Sequence, residues 1–131
     1  MKKVIGWGDF FKAKNPKTLG QWYKCHLDIP IDESFGGYIF KWRDRDNPNH
    51  EGYTVWSPFE EDTDYFEPGT KDFMVNFRVA DLDVFLKELE DKGIKQIGET
   101  QKYSYGKFAW IMDPEGNKIE LWEPPGENPD K

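Results

Sequence analysis

Cysteine occurs once in this chain of 131 residues, at Cys25, and histidine twice, at His26 and His50. A single thiol closes no intrachain disulfide and builds no Cys-based zinc motif, which suits a reducing compartment. Long apolar runs are also missing. The N-terminal "MKKVIGWGDFF" breaks its few apolar residues with Gly and Asp and so makes no secretory signal, and no segment is long enough to span a bilayer. Positive charge is in deficit: 18 Lys and Arg stand against 25 Asp and Glu, a net charge of −7 with no basic cluster. That balance opposes the phosphate neutralisation on which nucleic-acid binding depends. The expectation is a soluble, cytoplasmic protein with neither nucleic acid nor membrane as partner, its lone thiol a small buried residue.

Aromatic rings are what the chain has in excess. Six Trp, six Tyr and ten Phe make 17% of the residues, beside 37% hydrophobic and 33% charged. Such a chain is too aromatic to stay disordered, and its length suits one domain. Rings beyond the needs of a small core commonly line pockets or interfaces.

The pattern repeats. "DFMVNFRVADLDVFLKELEDKGI" starts as a strand and passes Asp81 as a helix N-cap. It continues through Leu82, Phe85, Leu86 and Leu89 at helical spacing to Gly93 at the C-terminal cap. "GWGDFFKAKNPKTLGQWYKCHLDI" does the same, with Asn15 as N-cap, Pro16 at the first helical position and Leu19, Trp22, Tyr23 and Leu27 on one side. Phe11 to Phe77, Asn15 to Asp81 and Trp56 to Trp122 are each 66 positions apart. After each helix come short strand-like runs, "YIFKWR" and "YTVWSPF", then "FAWIMD" and "KIELWEP". The turns "DNPNHEG" and "DPEGN" separate them, and "IPIDES" and "KQIGETQ" are weaker strand candidates. The reading is an α+β protein of two βαβββ modules, residues 4–58 and 72–124, with a linker over 59–71 and a tail over 125–131.

This order, with "FRVADLD", "WSPF" and "DPEGN" leading into "IELWEP", resembles the vicinal oxygen chelate superfamily, the glyoxalase/bleomycin-resistance/dioxygenase fold. The resemblance covers residues 4 to 124. It implies curved mixed sheets around a central cavity, and commonly a homodimer.

Strand parity sorts the side chains. Val75, Phe77 and Val79, with Ile119 and Leu121, belong under the helices, leaving Met74, Asn76, Arg78, Glu120 and Trp122 on the opposite face. The 66-residue spacing adds Gly8, Phe10, Lys12, Thr54 and Trp56 to that face, and Trp110 joins from "FAWIMD". A concave surface of rings with a carboxylate, an amide and two cations suits a small molecule.

Metal-dependent members of the resembled family place ligands at four positions that read here Gly8, Thr54, Met74 and Glu120. One carboxylate and one hydroxyl cannot build a stable cation site, so no metal and no cofactor are expected. Glu120 then serves as a polar anchor, pairs with Arg78 or Lys12, or acts as the best candidate for acid or base work. His26 is expected near a helix end, partly buried, and His50 in a solvated turn. The glycines of "GWG" and "FGGY" read as strand irregularities or close backbone approaches. The acidic "EEDTDYFE" is a solvated linker whose Tyr65 and Phe66 have the option of closing over the cavity.

Three functions compete. The first is a metal-independent protein binding a small, partly aromatic or cationic molecule. The second is a lyase, isomerase or dioxygenase of the same fold, using a displaced metal or Glu120. The third is an interaction domain with a vestigial pocket.

Overall fold

The computed structural model describes residues 4–126. In chain order the elements are β1 (Val4–Ala13), α1 (Pro16–Leu27), β2 (Tyr38–Arg43), β3 (Glu51–Glu60), β4 (Phe73–Val79), α2 (Leu82–Asp91), β5 (Ile97–Tyr103), β6 (Gly106–Met112) and β7 (Lys118–Glu123). The strands form one curved mixed sheet in the order β2-β3-β1-β4-β7-β6-β5. The first strands of the two halves, β1 and β4, lie antiparallel at its centre, and each pairs in parallel with the last strand of its own half. The tail expected from residue 125 lies, beyond Gly126, outside the described residues.

Both helices start where their caps allow. The Asn15 carboxamide accepts the Thr18 amide at 3.0 Å with Pro16 behind it, and the Asp81 carboxylate accepts the Val84 amide at 3.2 Å. The Glu123 carboxylate takes the Leu82 amide at 2.9 Å, tying the start of α2 to the end of β7. Gly93, with φ of 84°, follows the last turn of α2. The apolar stripe of α2 behaves as its spacing predicts: Leu82 and Leu89 are buried with Val79, Ala109, Ile111 and Leu121, and Phe85, Leu86, Phe77 and Ile119 pack around them.

The first half differs from the expected pattern at several points. "IPIDES" forms no strand. It contributes only an isolated bridge, Asp32 to Gly37, because the Asp32 carboxylate takes the Ser34 amide and hydroxyl at 2.9 and 2.6 Å and so closes a local turn. The first module is therefore βαββ and the second βαβββ. β3 runs on to Glu60, past the expected start of the linker. On α1, Tyr23 packs inward, but Trp22, Cys25, His26 and Leu27 are exposed, so the thiol is not the buried residue expected and the histidine is not partly buried. The His26 ring instead stacks on Trp22, with centroids 4.9 Å apart.

A register change decides which residues meet. At the centre the 66-residue spacing is kept: Gly8–Asn76 and Phe10–Met74 are equivalent pairs about Asp9–Val75. On the last strands it fails. Asn76 lies beside Glu120, whereas Phe10, its equivalent, lies beside Ser57, which precedes Glu120 by 63 positions. The first half lacks a strand and has a longer final hairpin, and these two changes leave a net offset of three residues. An odd offset inverts strand faces. Thr54 and Trp56 consequently point to the helix side, where Trp42 Nε1 donates to the Thr54 hydroxyl at 3.0 Å and Trp56 packs on Tyr23 and Phe11. Their expected place on the concave face is corrected to Val55, Ser57 and Phe59.

Gly8 and Gly37 are close approaches. A Cβ at Gly8 would stand 2.9 Å from the Val55 carbonyl oxygen, and one at Gly37 would stand 2.2 Å from that of Trp56.

Candidate functional site

The curved sheet encloses a cavity of about 910 Å³. Ile39 and Val55 pair across β2 and β3 on one wall, with Ser57 and Phe59 further along β3. Phe10 and Asn76 come from the central strands, Glu120 and Trp122 from β7, and Phe108 and Trp110 from β6. The mouth carries Tyr103 and Tyr105 on one side and Asp32, Ser34 and Phe35 on the other. Tyr103 stacks on Tyr105 with centroids 5.1 Å apart, and Phe108 stacks on Trp122 at 6.0 Å, so the entrance is lined by ring faces. Gly106, with φ of 129°, makes room for the Trp122 indole, whose N–H reaches the Tyr105 carbonyl at 2.9 Å.

Glu120 stands at the floor, 1% exposed. Its Oε1 accepts the Tyr65 hydroxyl and, at 3.1 Å, the Trp110 indole N–H, while Oε2 accepts Asn76 Nδ2 at 2.7 Å. The expected ion pair with Arg78 or Lys12 is not formed. Three neutral donors hold the carboxylate, and Lys118 acts on it only through space. Burial pushes the Glu120 pKa up, against the hydrogen bonds from Tyr65, Asn76 and Trp110 and the nearby Lys118 charge, all of which pull it down. Tyr65 is pushed up too, first by its own burial and then by the Glu120 charge and hydrogen bond.

The linker supplies part of this floor. Phe66 is buried with Phe10 and Met74, and Tyr65 packs against Phe59 and Trp110. Lys118 Nζ donates to the Tyr65 carbonyl and lies 5.2 Å from the Tyr65 ring centre and 5.4 Å from that of Trp110. Tyr65 thus lines the cavity and Phe66 is buried with Phe10 and Met74, so in this structure neither closes over the hollow as a lid.

Among the expected ligand-facing residues, the structure brings Phe10, Asn76, Trp110, Glu120 and Trp122 together in the lining. Met74 is fully buried beneath Phe66, the Lys12 ammonium lies 5.9 Å from the Phe66 ring centre, and the Arg78 guanidinium lies over Tyr53 at 4.7 Å. Thr54 and Trp56 are on the other face. Sequence reasoning missed Ser57, Phe59 and Phe108, and read Tyr65 only as an optional closure over the cavity. Aligning the repeat separately on each strand offered the only available signal for Ser57 and Phe59.

The positions related by the repeat on the cavity side are Phe10 with Asn76 and Ser57 with Glu120. The expected quartet of Gly8, Thr54, Met74 and Glu120 shares no common hollow. A divalent cation does not fit this set: Phe10 has no donor atom, and both oxygens of the one carboxylate are already engaged by side-chain donors. Among the described residues no three His, Cys, Asp or Glu side chains cluster, and His26 and His50 lie on α1 and in the β2–β3 turn.

No protein-family model matches the chain, and no curated protein matches it. Solved structures do. A methylmalonyl-CoA epimerase in complex with methylmalonyl-CoA is 16% identical, with a TM-score of 0.66 over 98% of this chain and 99% of that one. The methylmalonyl-CoA epimerase of Mycobacterium tuberculosis is 18% identical, with a TM-score of 0.57 over 95% and 91%. A glyoxalase/bleomycin resistance protein/dioxygenase superfamily member from Vibrio splendidus 12B01 is 9% identical, with a TM-score of 0.55 over 89% and 97%. The fold is that of the vicinal oxygen chelate superfamily. Identities this low carry the architecture and no activity. No helix among the described residues is long and apolar enough to cross a membrane.

Proposed function

We propose that this chain is a metal-independent, cytoplasmic member of its fold class that binds a small, partly aromatic or cationic molecule in the cavity. One observation carries the reading: a hollow of about 910 Å³ has ring-lined walls and mouth, and a floor whose only carboxylate is saturated by side-chain donors. The lining holds Asp32 and Glu120 but no Lys, Arg or His. That balance disfavours anions such as the methylmalonyl-CoA bound by one of the similar structures. A thermal-shift screen tests the reading. A ligand present at 100 times its Kd stabilises by about 2.7 kcal/mol, and Trp122→Ala and Phe108→Ala will weaken the response. No stabilisation by any flat aromatic compound would favour a domain with a vestigial pocket.

Proton transfer by Glu120 is the second reading, supported by its raised pKa and its bond to Tyr65. Its near-complete burial behind three donors weighs against it. Turnover of a bound ligand that disappears in Glu120→Gln, with binding kept, would establish it.

We further propose a homodimer through the helix side of the central strands. Trp7 and Phe73, 54% and 45% exposed, are 66 positions apart and flank the Asp9–Val75 pair. Light scattering that reports a monomer at micromolar concentration would exclude it.

A further inference from the structure

The floor of the cavity has an unbalanced hydrogen-bond inventory. Asn76 is 3% exposed, and its Nδ2 is committed to Glu120 Oε2 because the carboxylate needs a donor there. The Asn76 Oδ1 is thereby turned away from the carboxylate and has no hydrogen bond among the described residues. Ser57, 5% exposed on β3 beside Phe10 and two strands from Asn76, likewise has no partner for its hydroxyl among the described residues. The Tyr65 hydroxyl spends its proton on Glu120, receives the Trp110 indole N–H and keeps one lone pair. These three oxygens line the hollow together with the Glu120 carboxylate, and the lining has no cationic side chain. These oxygens open onto the cavity, so a ligand group that brings donors gains hydrogen bonds there.

The rings around the floor suit a cation as well. The chain already seats its own Lys118 ammonium near the ring faces of Tyr65 and Trp110. Phe59 stacks on Tyr65 with an interplanar angle of 15° and a centroid separation of 5.6 Å. Ring faces thus line the same cavity as these acceptors.

We infer that the cavity takes a protonated aromatic amine, its ammonium seated between Asn76 Oδ1, Ser57 Oγ and Tyr65 Oη above Glu120, and its ring extending toward Phe108 and Trp122 at the mouth. This deepens the proposed function and rests on it. The end of the ligand that carries the positive charge sits at the floor.

The test uses three probes of matched shape measured by calorimetry on the full chain: 2-(2-naphthyl)ethylamine, 2-(2-naphthyl)ethanol and 3-(2-naphthyl)propanoate. The expected result is that the amine binds about tenfold more tightly than the alcohol, with the propanoate weakest. Glu120→Gln, and independently the milder Ser57→Ala, will narrow the gap between amine and alcohol. Equal or tighter binding of the alcohol or the propanoate overturns this inference but leaves the cavity reading standing. Failure of all three probes to bind overturns both. An amine preference that survives unchanged in both variants overturns the assignment of the floor.

Discussion

The Tyr65 hydroxyl, carried by the linker, donates to the carboxylate of Glu120, 55 residues away on the last strand. The segment that joins the two halves therefore completes the floor of the cavity, and the carboxylate owes part of its solvation to a residue outside either repeat.

Removing that donor leaves a buried carboxylate oxygen with only the Trp110 N–H. Tyr65→Phe keeps the ring packing on Phe59 and is expected to cost about 1–3 kcal/mol in urea denaturation. Phe66→Ala, which empties a fully packed site, is expected to cost about 3–5 kcal/mol. Wild-type stability in Tyr65→Phe would show that the hydrogen bond does not support the floor.

The raised pKa of Glu120 has a defined sign in stability. The folded chain holds this proton more tightly than the unfolded chain, so ionising Glu120 penalises the fold. The penalty is absent below the ordinary value of 4.5, grows as pH rises toward the folded value and is constant above it. Glu120→Gln never ionises. The Tm of the variant minus that of wild type will therefore increase from acid to neutral pH, with contributions of groups common to both cancelling. A difference independent of pH, or one that shrinks, would contradict a desolvated carboxylate.

Thr54 and Trp56 separate the register seen here from an unbroken 66-residue repeat. Trp56→Ala loses a half-buried ring packed on Tyr23 and Phe11, and is expected to cost on the order of 2–3 kcal/mol of stability. Thr54→Val removes one hydrogen bond, from Trp42, at about 1 kcal/mol. Neither is expected to change the affinity of a cavity ligand, measured by calorimetry. A tenfold loss in Thr54→Val would place that side chain inside the hollow.

Metal removal provides a direct check. Dialysis against EDTA and later addition of zinc, nickel or manganese is expected to leave both Tm and ligand affinity unchanged, because no three His, Cys, Asp or Glu side chains cluster among the described residues. A stoichiometric metal that restores stability after chelation would refute the metal-independent reading.

Much of the fold was legible in the residues. Asn15 with Pro16 and Asp81 with its following apolar stripe announced both helices, since caps and helical spacing are local physics. Alternation placed Phe77, Val79, Ile119 and Leu121 under α2, and set Asn76 and Glu120 on the opposite face, because strand parity is exact within one strand. Trp22, Cys25 and Leu27 went astray for a different reason. Helical spacing shows that residues share a side, but not how far the sheet extends beneath them.

The chain by itself determined its secondary elements, its duplication and the candidacy of one carboxylate, because those follow from contacts between near neighbours in sequence. Only the tertiary structure decided that Ser57, and not Thr54, shares the cavity with Glu120, and that Tyr65 bonds to it. Pairing between strands answers to hairpin length and to a strand the first half lacks, and a three-residue offset of that origin reverses a face without leaving any local mark.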